Sequence, residues 1–92
     1  MGTPLVITPG DPKGIGPEVV CRALLQRPNI QALLIGDSAS IQAEADRLGL
    51  SVTLVDSPKA GPGVKLYDPS NDLEPVEVAA LRCAVELLQS GL

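Results

Sequence analysis

Runs of apolar residues alternate with turn-forming clusters along this chain in a regular order. Leu5-Val-Ile-Thr8 is a short β-branched run that Pro9-Gly10 ends, the pattern of a buried strand. A loop rich in glycine and proline follows, and Pro17 then suits the first turn of a helix. Glu18 stands close behind it, where a carboxylate favours the positive end of the helix dipole. Val20, Ala23 and Leu24 are placed on one face of that helix, and Pro28 stops the run. Ala32-Leu-Leu-Ile35 reads as a second strand closing on Gly36-Asp37. Ser38 is positioned to cap a second helix, Ile41, Ala45 and Leu48 share its buried face, and Gly49 is its C-terminal stop. Ser51 to Val55 alternates weakly and gives a third strand.

The segment from Asp56 to Asn71 changes character. Pro58, Gly61, Pro62, Gly63 and Pro69 leave room only for a short extended piece around Val64 to Tyr67, so the segment reads as an irregular surface connection. A last helix starts near Asp72 to Pro75, buries Val76, Ala80, Cys83 and Leu87, and ends at Gly91. Strand, helix, strand, helix, strand and a final helix is a βαβαβ pattern. It predicts an α/β fold with a mainly parallel sheet and right-handed crossovers. Only Leu92 follows Gly91, where such a pattern normally delivers the next strand. Residues 1–92 are therefore expected to be the amino-terminal portion of one α/β domain.

Composition narrows the chemistry. Tyr67 is the only aromatic residue, so the core must be built from Leu, Val, Ile and Ala, and a chain of 92 residues with such a core gains from packing against more protein. The net charge of −4 and the scattered cations argue against nucleic acid and an anionic membrane surface. No apolar run reaches a membrane span, and no charged-then-apolar leader opens the sequence, so a cytoplasmic location is expected. Cys21 and Cys83 stand among apolar neighbours in helical patterns and read as reduced core residues. There is no histidine. That excludes a His-based zinc site and any Ser-His or Cys-His nucleophile within the chain.

The loop from Gly10 to Glu18 carries the functional argument. In an open parallel sheet, ligands bind outside the carboxyl ends of the strands, which is where this loop falls. Gly14 and Gly16 permit positive φ and close backbone approach, and the start of the following helix offers N–H groups to an anion. Asp11 can meet a ligand hydroxyl or cation, or simply cap local amides. Lys13 can reach a phosphate or remain a solvated charge, and Glu18 fits a helix stabiliser better than a catalytic acid. The standard signatures are missing: Gly14-Ile-Gly16-Pro-Glu-Val19 lacks the third glycine of the dinucleotide fingerprint, and no P-loop is present.

Ile7-Thr-Pro-Gly-Asp-Pro-Lys-Gly-Ile-Gly-Pro-Glu-Val19 resembles the opening signature of the 4-hydroxythreonine-4-phosphate dehydrogenase (PdxA) family of pyridoxal phosphate biosynthesis. Leu33-Leu-Ile-Gly-Asp37 is similar to that family's second strand, and the resemblance runs in order through the helix ending at Gly91. Lys13 departs from the alanine many members carry. A shorter relative of the motif, G-D-G-I-G-P-E, opens the isocitrate and isopropylmalate dehydrogenases. The resemblance therefore implies part of a three-layer sandwich of that type. It also implies NAD-dependent oxidation and decarboxylation of 4-hydroxythreonine 4-phosphate, a divalent metal held by histidines, and a homodimer with sites shared between subunits. Gly10, Asp11, Gly14, Gly16 and Glu18 match the family motif and are expected to frame a ligand cleft. The catalytic and metal-binding residues are expected outside this chain, which alone should be inactive and bind neither NAD nor metal firmly. Two other readings stand beside this one. The first is a non-catalytic α/β module that binds a ligand or partner. The second is another metal-dependent β-decarboxylating dehydrogenase, against which the insert Pro12-Lys13 argues.

Overall fold

A computed structural model describes residues 5–27 and 29–90. Its elements run β1 (Leu5–Ile7), α1 (Gly16–Leu25), β2 (Ala32–Ile35), α2 (Ser38–Leu48), β3 (Thr53–Leu54), β4 (Val64–Tyr67) and α3 (Val76–Gln89). The four strands form one sheet in the order β1-β2-β4-β3, and every pairing is parallel. Leu5 stands opposite Ala32, Ala32 opposite Val64, and Thr53 opposite Lys65. Consecutive residues point to opposite faces of a strand, so β2, buried along its whole length, feeds two cores. Ala32 and Leu34 join Leu24, Ile41, Val64 and Leu66 beneath α1 and α2. Leu33 and Ile35 join Ala80 beneath α3, with Val6, Ala60, Tyr67, Cys83, Ala84 and Leu87 packed around them. The result is a three-layer α/β/α arrangement. Leu33, Leu34, Ile35, Ile41 and Leu66 are its largest fully buried side chains, each stabilising the fold by roughly 1.5–3 kcal/mol.

The segment expected to be a surface connection supplies the strand that completes the sheet. β4 lies between β2 and β3, with Val64 and Leu66 buried. The flanking glycines and prolines hide it, but its Val-Lys-Leu-Tyr alternation is a strand pattern. From β2 to β3 the chain advances past β4 and crosses over the sheet through α2. From β3 it returns one position, and Ala60 in the return packs on the opposite face, with α3. Reversing direction while keeping one hand of crossover requires that change of face. β3 is correspondingly short and exposed, Thr53–Leu54 rather than Ser51 to Val55.

Two other local expectations shift. The buried face of α1 is Pro17, Cys21 and Leu24, with Val20 beside the core, while Ala23 points to solvent. The α2 cap is Asp37, not Ser38: Asp37 is extended (φ −66°, ψ 113°) and its carboxylate accepts from the Ser40 backbone N–H at 2.9 Å. Gly49 ends α2 in the left-handed region, φ 81°, as its position predicted. Pro28 and Gly91, read as helix stops, lie outside the described residues.

Candidate functional site

The carboxyl ends of β1, β2 and β4 each lead into a polar loop on the same edge of the sheet, and the first two of these loops meet. A Cβ on Gly36, at the end of β2, would stand 3.5 Å from the Pro9 ring in the loop after β1.

The β1–α1 loop is held by its own backbone. Gly10 takes φ +85°, which only glycine adopts without strain, and it turns the chain out of the strand. Asp11 organises the next turn twice: its carbonyl accepts from the Gly14 N–H at 2.9 Å, and its Oδ1 accepts from the Lys13 N–H at 2.8 Å. The carboxylate remains exposed, as does the Lys13 side chain. Gly14 and Gly16 are not in the positive-φ region expected of them; among the described glycines that region holds Gly10, Gly49 and Gly63. Gly16 is required for a different reason. A Cβ there would lie 1.8 Å from the Pro9 carbonyl oxygen, so the start of α1 presses directly on the end of the strand segment.

That close approach sets how α1 begins. Its N-cap is Ile15, whose side chain makes no capping hydrogen bond and is exposed. Pro17 brings no N–H, and Glu18 faces sideways to ion pairs with Arg22 at 2.8 Å and Arg47 of α2 at 3.8 Å. The hydrogen bond from Arg22 and its positive charge hold the Glu18 carboxyl below its ordinary range. Glu18 therefore couples α1 to α2 at the rim of the loop and has no free proton to exchange near neutrality.

Sequence reasoning missed two carboxylates that finish the neighbouring loops. Asp37 caps α2 from its own turn, and Asp68, following β4, caps the same helix from thirty residues away: its Oδ2 accepts from the Ser38 N–H at 2.7 Å. Its Oδ1 accepts from the Ser70 N–H at 2.8 Å and from the Ser70 hydroxyl. Burial pushes Asp68 up, but the hydrogen bonds from Ser70 and Ser38 together outweigh it and leave its pKa below the usual carboxylate value. Asp37-Ser-Ala-Ser40 and Asp68-Pro-Ser70 are capping and turn patterns, and these local signals were available in the sequence. The pairing of Asp68 with α2 was not.

The cysteines are held as thiols. Cys21 is buried, which together with the Glu44 charge raises its pKa. Cys83 is half-buried and raised by burial and by Glu86. Among the described residues no three His, Cys, Asp or Glu side chains converge to hold a metal ion, so a resident divalent metal does not fit the residues present. The proline at α1's second position removes one of the N–H groups that would otherwise face an anion at that helix end. No helix among the described residues is long and apolar enough to cross a membrane.

These features define a class before any relative is considered: a parallel α/β unit whose first βα loop is glycine-shaped, tightly seated and left without a side-chain cap. Known proteins then narrow it. No family model matches the chain. The 4-hydroxythreonine-4-phosphate dehydrogenase of Pseudoalteromonas translucida is 34% identical over 86 residues, which cover 87% of this chain and 26% of that protein. The protein of the same name from Xanthobacter autotrophicus is 32% identical over an alignment of 108 positions, covering 96% of this chain and 31% of its own length. One from Synechococcus is 48% identical over 46 residues, half of this chain. The chain is thus related over nearly all its length to the 4-hydroxythreonine-4-phosphate dehydrogenases, by name an oxidoreductase family. It spans about a quarter to a third of the length of the Pseudoalteromonas and Xanthobacter proteins.

Proposed function

We propose that this chain is the amino-terminal portion of an NAD-dependent dehydrogenase that oxidises and decarboxylates 4-hydroxythreonine 4-phosphate in pyridoxal phosphate synthesis. The observation that carries the reading is the β1–α1 loop. Its residues Gly10, Asp11, Gly14, Gly16 and Glu18 fall in the stretch that resembles the family's opening signature, and they follow the carboxyl end of a parallel strand, where α/β sheets receive ligands. Within it Gly10 and Gly16 set the backbone path, and Gly14 closes the Asp11 turn. Asp11 presents an exposed carboxylate able to accept from a substrate hydroxyl, and Glu18 braces the loop against α2. The loop shapes one wall of the cleft in a fold of the isocitrate and isopropylmalate dehydrogenase type.

The remaining machinery belongs to the rest of the protein: the histidines for a divalent metal, the main phosphate contacts and the NAD site. The whole enzyme is cytoplasmic and homodimeric in this reading. The test is an assay of NAD reduction with 4-hydroxythreonine 4-phosphate and a divalent metal. It compares the isolated 92-residue chain with the protein purified from its source. The isolated chain is expected to give no turnover and the source protein, some threefold longer, to give it. Turnover by the chain alone contradicts the division of labour. A source protein that is inactive, or no longer than this chain, contradicts the dehydrogenase reading and favours a non-catalytic binding module.

A further inference from the structure

Gly36, at the end of β2, is glycine for lack of room. Its backbone is not left-handed, so no positive φ calls for glycine there. A Cβ at this position would instead stand 3.1 Å from Ile41 Cδ1 and 3.5 Å from Cδ of the Pro9 ring. The first approach is tighter than side chains normally pack, and the second is ordinary contact.

Which neighbour gives way depends on how each is held. Gly36 itself is fixed: it is buried, its N–H donates to the Tyr67 carbonyl at 3.1 Å, and the next residue caps α2. Ile41 is 1% exposed and belongs to the core cluster of Leu24, Leu34, Val64 and Leu66. A close-packed interior passes a displacement on instead of absorbing it. Pro9 is the looser side, half-buried and beyond Ile7, the last paired residue of β1. Its carbonyl is also the group on which α1 starts, since a Cβ on Gly16 would meet it at 1.8 Å. A push on Pro9 therefore arrives at Gly16 and at the turn that the Gly14 N–H closes on the Asp11 carbonyl.

We propose that Gly36 is a positioning residue: its missing side chain seats Pro9, and through Pro9 it sets the path of the β1–α1 loop without touching ligand. The seating stands on these contacts alone, while its effect on substrate binding rests on the dehydrogenase reading. The test uses Gly36→Ala, Ile41→Val and the two together, each in the protein from its source. Ile41→Val removes the Cδ1 that the new methyl would meet. Gly36→Ala is expected to quicken hydrogen exchange at the amides between Gly10 and Gly16. It should also raise KM for 4-hydroxythreonine 4-phosphate about fivefold with kcat within about twofold, as a displaced binding loop does. Ile41→Val alone should lower the melting temperature and leave both readouts unchanged, and in the double variant both should return close to the parent values. Gly49→Ala is the stability control. It strains the left-handed end of α2 with nothing within 4 Å, so it should lower the melting temperature without moving loop exchange or KM.

Loop exchange unchanged by Gly36→Ala, a change that Ile41→Val does not relieve, an equal change from Gly49→Ala, or a KM that stays put while exchange quickens overturns the proposal. Quickened and rescued exchange in a protein that does not turn over this substrate upholds the seating of Pro9 and counts against the dehydrogenase reading. Unchanged exchange with normal turnover does the reverse.

Discussion

The two βα turns at the front of the sheet solve the same problem in opposite ways. After β2 the chain enters α2 through a turn whose helix start is fully served: Asp37 caps Ser40, and Asp68 reaches across from β4 to cap Ser38. After β1 the chain takes a longer path through Gly10, Asp11 and Gly14, presses Gly16 against the Pro9 carbonyl, and opens α1 on an isoleucine that cannot cap. Capping by a carboxylate is worth about 1 kcal/mol, and α1 forgoes it. The difference shows what each turn is shaped for. The β2–α2 turn closes a helix; the β1–α1 loop fixes a backbone contour at the carboxyl end of β1 and leaves the start of α1 without a side-chain cap, which suits the ligand-facing role proposed for it.

The comparison is broken most severely at Gly16. Gly16→Ala drives a methyl into the Pro9 carbonyl and should cost about 3 kcal/mol, the upper end for overpacking, read as a lower urea midpoint. Gly14→Ala is the control. Its new Cβ would sit 3.4 Å from the Asp11 carbonyl oxygen with no positive φ to sustain, so it should shift the midpoint far less. Equal effects would mean that the close approach at Gly16 is not what holds the loop.

The second turn gives way by smaller steps. Asp37→Ala should lower stability by about 1 kcal/mol while Ser38→Ala leaves it nearly unchanged, since the cap is Asp37. Asp68 adds a pH signature. Its folded pKa lies below the unfolded value, so its stabilisation is complete above about pH 4 and is lost as pH falls through the folded value. Asp68→Asn should be less stable than the parent at neutral pH and should show a shallower decline in acid. A variant that declines as steeply as the parent would remove Asp68 from that account. The smallest effect belongs to Glu18→Gln. Its ion pairs are exposed, so melting should change little and only at low salt.

Much of this architecture was legible in the residues. The fully apolar Ala32-Leu-Leu-Ile35 and Gly49 as a left-handed stop each carry a local physical cause and stand where they were expected. The β-branched run at Leu5 forms its strand at the sheet edge, with Leu5 exposed, not the buried strand that its pattern suggested. What escaped depended on distance or on competing signals. β4 was disguised by Gly61, Pro62, Gly63 and Pro69, and its place between β2 and β3 follows from a reversal of chain direction that no local pattern announces. The glycine-rich loop was visible as a loop, but which glycine serves φ and which serves close approach depends on where Pro9 lies in space. Asp68 is the clearest limit: the helix it caps begins thirty residues earlier.

The claim at the centre of this account is that the β1–α1 loop meets the ligand and the β2–α2 turn does not. Hydrogen exchange on the protein from its source, with and without saturating 4-hydroxythreonine 4-phosphate, compares the two directly. Within residues 1–92 the account predicts new protection at the amides of Gly10 to Glu18, with those of Asp37 to Ser40 unchanged. Protection at Asp37 to Ser40 alone, or none at Gly10 to Glu18, would contradict it.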